Sequence, residues 1–247
     1  MLRINKGENM IIILSPAKTF AQSKTTSNQV PYFQNEAVSL VRSLKKKKVL
    51  EFMESMKISE NLARDVKNYY LHFEEHQLSA IHTYNGQAFK GFDVDTMDDN
   101  LLLKANKQLY ILSGLYGILK PLDAISYYRL DIKDQIVKNL YPYWKKRLEK
   151  YFDTFHKNEL IINLASTEYR RVLPKHLNMV TIDFLQIQDN KYKSISMFVK
   201  KMRGMMARYL IEHDINDLSD MKKIVLDGYQ YNTDKSSQDL FIFSKEV

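Results

Sequence analysis

Apolar residues come in short unbroken runs in parts of this chain and at helical spacing in others. Met10 to Leu14 is five apolar residues in a row, closed by Ser15-Pro16, and predicts a strand buried on both faces. The polar stretch KTFAQSKTTSNQVPYF, from Lys18, predicts a loop. From Asn35 to Leu78 the apolar positions recur with a helical period, with breaks at Lys45–Lys48 and at Ile58-Ser59. Ser59, followed by Leu62, Val66 and Tyr69-Tyr70, has the form of a helix cap and an apolar stripe. TYNGQAFKGFD, Thr83 to Asp93, sets turn residues between aromatics and predicts extended, hairpin-like backbone. Met97 to Lys107 predicts a short helix and Gln108 to Leu112 a second buried strand. Asp134 to His156 predicts a long helix that carries Trp144, with Pro142 marking its start or a kink. Glu159 to Leu164 and Met179 to Gln188 predict two more strands, and Ser196 to His213 an amphipathic helix. Ile224 to Leu226 and Leu240 to Phe243 predict late strands. No repeat, low-complexity tract or linker interrupts the pattern. The expected fold is α/β (mixed α+β), one domain over residues 10–247, with a mixed central sheet flanked by helices.

Composition narrows the chemistry. Cysteine is absent, which excludes disulfides, thiolate catalysis and cysteine metal sites, and fits a cytoplasmic protein. No apolar run approaches the ~20 residues of a membrane span, so no membrane partner is expected. The net charge of +8 favours nucleic acid, phosphorylated ligands or acidic partners. His72-Phe-Glu-Glu-His76 has the H-x-x-E-H form, but no third ligand accompanies it. Neither a resident metal nor a cofactor is expected. Residues 1–9 need separate treatment. Lys6-Gly7-Glu8-Asn9 back-translates to a purine-rich string containing GGAG just ahead of Met10, so Met10 is the expected start and residues 1–9 a mis-annotated leader or tail. Mass spectrometry of the native protein showing Met1 or Leu2 at its N-terminus would contradict this.

Several short motifs carry candidate chemistry. On a helical wheel at ~100° per residue, Met202, Met205, Met206, Tyr209 and Leu210 form an apolar face. Lys200, Lys201, Gly204 and Arg208 lie opposite, with Arg203 on the flank. Glycine inside a helix costs about 1 kcal/mol against alanine. Either a phosphate or nucleic-acid backbone comes close there, or Gly204 packs against another element. Ser15, Lys18 and Thr19 follow a buried strand, where ligands of open α/β sheets bind. INLASTEYRRV repeats that design. Ser166 or Thr167 caps the next helix, Glu168 stands beside them, and Asn163 is a polar amide within a strand that needs partners. Arg129 and Asp131 in YYRLDI form a structural pair or an anion clamp. In LSGLYGILKPLD, the spacing of Gly114 and Gly117 matches neither a dinucleotide nor a P-loop pattern. Two readings stand: a turn whose amides face a phosphate with Lys120 nearby, or a strand-to-helix turn that positions the Arg129 segment. No catalytic triad can be assembled.

ILSPAKTF, FKGFDVDTM, LSGLYGILKPLD, YYRLDI, NLASTEY and KKMRGMMARYLI occur here in the order typical of the YaaA peroxide-stress family, and the chain resembles that family from Met10 to DGYQYN near its end. The resemblance implies a cytoplasmic, DNA-binding protein of the oxidative stress response. Such a protein is expected to limit Fenton damage by lowering free intracellular iron. The family's fold is described with a basic cleft and a helix-hairpin-helix-like element, and DNA recognition is expected to follow structure rather than sequence. With these motifs in view, phosphate or nucleic-acid contacts are expected at Lys18, Thr19, Lys90, Gly114, Gly117, Lys120, Arg129, Lys200, Lys201, Arg203, Gly204 and Arg208. The alternative is an enzyme acting on a nucleotide or another phosphorylated small molecule, with Ser15, Lys18, Arg129, Asn163, Ser166 and Glu168 as catalytic candidates. One motif departs from the family. Where relatives usually read Pro-Tyr-Arg-Leu-Glu-Met-Gly, this chain reads Tyr127-Tyr128-Arg129-Leu130-Asp131-Ile132-Lys133.

Overall fold

Five apolar residues in succession, Met10–Leu14, form strand β1, and all five are buried. A strand with no polar face must be covered on both sides, and β1 lies inside the sheet between two parallel neighbours. The computed structural model describes residues 10–73 and 77–247. The first nine residues, and the Glu74–His76 part of the H-x-x-E-H stretch, lie outside them.

After the predicted loop come helices α1 (Gln34–Lys45), α2 (Val49–Met56) and α3 (Glu60–Leu71). They break at the lysine run and at Ile58-Ser59, as the apolar period requires. Ser59 caps α3, its hydroxyl accepting from Leu62 N. Next are β2 (Leu78–Ser79), α4 (Ala80–Thr83), α5 (Gln87–Phe92) and α6 (Asp99–Gln108). The expectation of extended backbone over Thr83 to Asp93 is corrected here, since most of that stretch is helical in α4 and α5. β3 (Leu109–Ser113) turns back into β4 (Gly117–Leu119), and β5 (Ala124–Ile125) pairs with β2. α7 (Leu140–Phe155) begins later than expected and holds Pro142 in its first turn, where the missing amide hydrogen is not needed. β6 (Leu160–Asn163), α8 (Thr167–Arg170), β7 (Met179–Gln188), β8 (Lys191–Lys193) and α9 (Ser196–Glu212) follow. The chain closes with α10 (Leu218–Met221), β9 (Val225–Leu226), β10 (Tyr229–Tyr231) and β11 (Leu240–Glu246).

The large sheet runs β4-β3-β1-β6-β7-β11-β10-β9, with β8 attached to β7. β3, β1, β6, β7 and β11 are mutually parallel, and β4, β8, β9 and β10 are antiparallel to their neighbours. The expected mixed sheet in one α/β domain is what the protein builds. Trp144 on α7 packs over the β3–β4 turn and donates its Nε1–H to Gly114 O at 2.8 Å. Among the described residues no helix is long and apolar enough to cross a membrane.

Candidate functional site

Because β1, β3 and β6 are parallel, their carboxyl ends open on one edge of the sheet. Ser15 to Phe20 follow β1 there, and Leu164 to Ser166 follow β6. The segment after β5, from Tyr127 to Asp134, reaches the same edge. Lys18 Nζ lies 2.8 Å from Asp131 Oδ2, and Arg129 Nη1 donates to Lys18 O at 3.3 Å. Gly114 permits this approach, for a Cβ on it would stand 2.2 Å from Leu130 O.

Lys18, Tyr128, Arg129, Asp131, Asp134 and Tyr169 line a cavity of about 50 Å³. Asp131 pairs with Lys18 rather than with Arg129, whose guanidinium makes no ion pair among the described residues. Asp134 accepts from Asp131 N at 2.7 Å, and burial raises its carboxyl above the usual range. Beneath it Tyr84, Tyr128 and Ser113 form a hydroxyl chain, 2.5 Å and 2.7 Å apart. Burial pushes the Tyr128 phenol to about 12, so the chain is uncharged at neutral pH. The cavity thus offers two cations, one carboxylate already paired and a second, Asp134, held against the backbone. That set can hold a small anionic group.

Other candidates from the sequence sit nearby in different states. Ser15 Oγ accepts from Ser166 N at 2.9 Å, and the two hydroxyls are 3.3 Å apart. Ser166 occupies the cap position of α8, yet its side chain makes no capping bond. Asn163 is buried and committed. It donates to Thr181 Oγ1 and accepts from Ala165 N. Glu168 accepts from Lys133 Nζ at 2.7 Å. Lys133 is the residue that replaces the family's usual glycine, so this departure adds an ion pair at the edge of the site. Thr19 bonds Asn85 O, and Lys90 is exposed on α5.

Two glycine readings are corrected. Gly204 is buried, and the element that comes close to it is protein. A Cβ there would lie 1.7 Å from Ala88 O and 2.8 Å from Phe92 N, both on α5. Its counterpart Gly91 would meet Lys201 O at 2.2 Å. The Gly114–Gly117 turn joins two strands, not a strand and a helix. Its amides do not face outward, because Leu115 N and Tyr116 N both donate to Ser113 Oγ. Gly117 adopts φ +71°, and Trp144 fills the space beside it.

Arg203 and Arg208 are also spent within the fold. Arg203 pairs with Asp183 on β7 at 3.1 Å. Arg208 donates to Asp93 O and Thr96 Oγ1, both at 2.7 Å, closing the carboxyl end of α5, and it pairs with Glu212. Lys120 lies elsewhere. β4 runs back against β3, so Lys120 stands at the amino end of the sheet, away from Lys18 and Arg129.

One feature of this edge was missed. β7 outruns β6, pairing with it only through Thr181. Its last residues turn back at Asp189-Asn190, both with positive φ, into β8. β11 covers the other side of β7, so β8 stands in line with β6, about 15 Å beyond its end. On β8 and the start of α9, Lys191, Lys193, Lys200 and Lys201 are exposed and make no ion pair among the described residues. Tyr192, Ile195, Met197 and Phe198, between them, are exposed too. Lys235 lies over the Tyr192 ring at 4.6 Å. The signal was present in KYKSISMFVKK, where lysines bracket large apolar residues.

These features define an α/β protein with a compact charged pocket and a basic, aromatic overhang on one edge of its sheet. The chain belongs to the family of the peroxide stress protein YaaA, which it matches over residues 10–235. It is 37% identical over 255 residues to a UPF0246 protein of Francisella tularensis subsp. tularensis (strain WY96-3418), covering 96% of this chain and all of that one. UPF0246 proteins of Francisella tularensis subsp. novicida (strain U112) and Francisella philomiragia subsp. philomiragia are 36% and 35% identical over the same shares.

Proposed function

We propose that this member of the peroxide stress family works by binding nucleic acid at the carboxyl edge of its sheet. Lys191, Lys193, Lys200 and Lys201 contact phosphates, with Lys18 and Arg129 extending the track. The observation that carries this reading is the run of exposed lysines, free of ion pairs among the described residues, around Tyr192, Met197 and Phe198. Lysines neutralise phosphates, and exposed aromatic rings stack on unpaired bases, a combination that suits non-duplex structures. Arg203, Gly204 and Arg208 are left out of the interface by their partners within the fold. Any lowering of free iron is placed downstream of this binding.

The test is fluorescence anisotropy of a labelled single strand and a four-way junction across a salt series. Lys193→Ala/Lys200→Ala/Lys201→Ala should weaken binding at least tenfold. It should also flatten the log–log salt slope by about 2 on the single strand, at roughly 0.7 per lost phosphate contact. Unchanged affinity and slope would rule the interface out.

A second reading rests on the strand-end cavity, where Lys18, Asp134 and Arg129, which makes no ion pair among the described residues, converge. It is a site for one phosphoryl-sized group of a small ligand. Inorganic phosphate or pyrophosphate should then raise the melting temperature of the parent but not of Arg129→Ala. An equal response in both would exclude it.

A further inference from the structure

Sulfur in this chain is carried by methionine alone. There are eleven methionines and no cysteine, so any two-electron oxidation of sulfur must fall on a thioether. The fold covers nearly all of them. Met197 is 53% exposed, and every other methionine among the described residues is buried or partly covered. Methionine ordinarily serves as an adaptable filler of core gaps, and a thioether this open contributes little in that way.

Its surroundings belong to the basic overhang. Met197 lies in the first turn of α9, between Ile195 and Phe198, which are exposed as well. Lys200 and Lys201 follow three and four residues later, on the same side of the helix and one turn further on. Helical side chains lean toward the amino end of their helix, so both lysine stems are directed back toward Met197. Both lysines are exposed, and neither makes an ion pair among the described residues. Two strong hydrogen-bond donors are thus aimed at a side chain that, as a thioether, accepts only weakly.

We infer that Met197 is a modification site, oxidised by hydroperoxides to the sulfoxide, and that the sulfoxide weakens nucleic-acid binding by the overhang. The consequence rests on the nucleic-acid reading above; the chemistry does not. The sulfur lone pair attacks one peroxide oxygen, and the S–O bond forms as the O–O bond breaks. Sulfur is oxidised by two electrons. With hydrogen peroxide, the second oxygen takes the proton of the first and leaves as water. The new S–O oxygen is a strong acceptor, and Lys200 and Lys201 can donate to it in place of a phosphate. An apolar contact for a base becomes a polar one at the same time, and sulfoxide reductases can reverse the change. The oxidant class is the one for which the family is named.

The full chain is treated with millimolar hydrogen peroxide and its sulfoxides are mapped by peptide mass spectrometry. Anisotropy of a labelled single strand is followed in parallel. Met197 should be oxidised ahead of the partly covered Met53, Met56 and Met205. Affinity should fall by about threefold or more in step with that one sulfoxide, as two phosphate-binding cations are diverted. Treatment with both methionine sulfoxide reductases should restore it. Met197→Leu, whatever its starting affinity, should lose none of it to peroxide, and Met197→Gln, which carries a carbonyl acceptor, should bind more weakly than Met197→Leu without any oxidant. A sulfoxide at Met197 that forms no faster than at the covered methionines would overturn the site. Unchanged affinity at full Met197 oxidation, or an equal loss in Met197→Leu, would overturn its effect. A parent protein that binds no strand would refute the nucleic-acid reading itself, and the sulfoxide map would still decide the site.

Discussion

Gly204→Ala decides between two opposite expectations. If Gly204 lay open on a solvated basic face, alanine would favour the helix by about 1 kcal/mol and the variant would be more stable. The fold predicts the reverse. The new Cβ would stand 1.7 Å from Ala88 O, and an ordinary carbon–oxygen contact needs roughly 3.3 Å, so α9 and α5 must separate by about 1.5 Å. Both sides of the contact are backbone, so no rotamer change relieves it. Separation also loosens Phe89, Phe92 and Met206, which are buried in the core these helices join. Overpacking of this kind costs about 3 kcal/mol or more, and the helix-propensity gain returns about 1. The net expectation is a loss of about 2–4 kcal/mol. At roughly 2–4 °C per kcal/mol for a chain of this size, the melting temperature should fall by roughly 5–15 °C. Urea denaturation followed by circular dichroism measures it, and Gly91→Ala should behave alike, since its Cβ meets Lys201 O at 2.2 Å. A Gly204→Ala protein as stable as its parent, or more so, would refute the helix contact.

Arg208→Ala should cost about 1–2 kcal/mol in denaturant midpoints, from the lost bonds to Asp93 O and Thr96 Oγ1, while nucleic-acid affinity stays within about twofold. Burial lifts the Asp123 carboxyl from 3.8 to about 6, so the folded state binds this proton more tightly than the unfolded chain. Its contribution is therefore fully present below about pH 4 and is lost as pH rises through 6, by at most roughly 3 kcal/mol. Relative to the parent, Asp123→Asn should gain stability between pH 4 and pH 7 in parallel urea titrations. A difference that stays flat or runs the other way would contradict this.

The sequence was most informative where a single neighbour decides the outcome. Met10–Leu14 and Met179–Gln188 were legible as strands because an unbroken or alternating apolar run has few ways to be buried. The helix breaks at Lys45–Lys48 and Ile58-Ser59 were legible because capping is local. α5 was not. It spans six residues, too few to show a period, and its glycines resemble turn punctuation. Gly91 serves instead to admit Lys201, a residue far along the chain, and a missing side chain does not announce what will fill its place. The polar face of α9 was visible on the wheel, but not that Asp183 and the end of α5 would claim Arg203 and Arg208. At the strand-end site, Lys18, Ser15 and Ser166 were found because the ends of parallel strands converge in any such sheet, whereas Arg129 was found through its own YYRLDI motif. Asn163 looked similar in sequence and turned out to face its neighbour Thr181. The β8 overhang was missed because exposure depends on what packs above a residue, and for Tyr192 and Phe198 little does.

The sheet order also bears on how quickly the molecule can form. β1 sets Ile12 beside both Leu109 and Ile162, and β11 sets Phe241 beside Ile182. Contacts this distant along the chain close slowly, because each requires a long loop to be immobilised before it is rewarded. β11 moreover enters between β7 and β10, inside the sheet rather than at its rim. Until Leu240–Glu246 arrives, β7 presents a bare hydrogen-bonding edge flanked by Val180, Ile182 and Phe184. Refolding intermediates of this protein are therefore expected to associate through that edge as concentration rises.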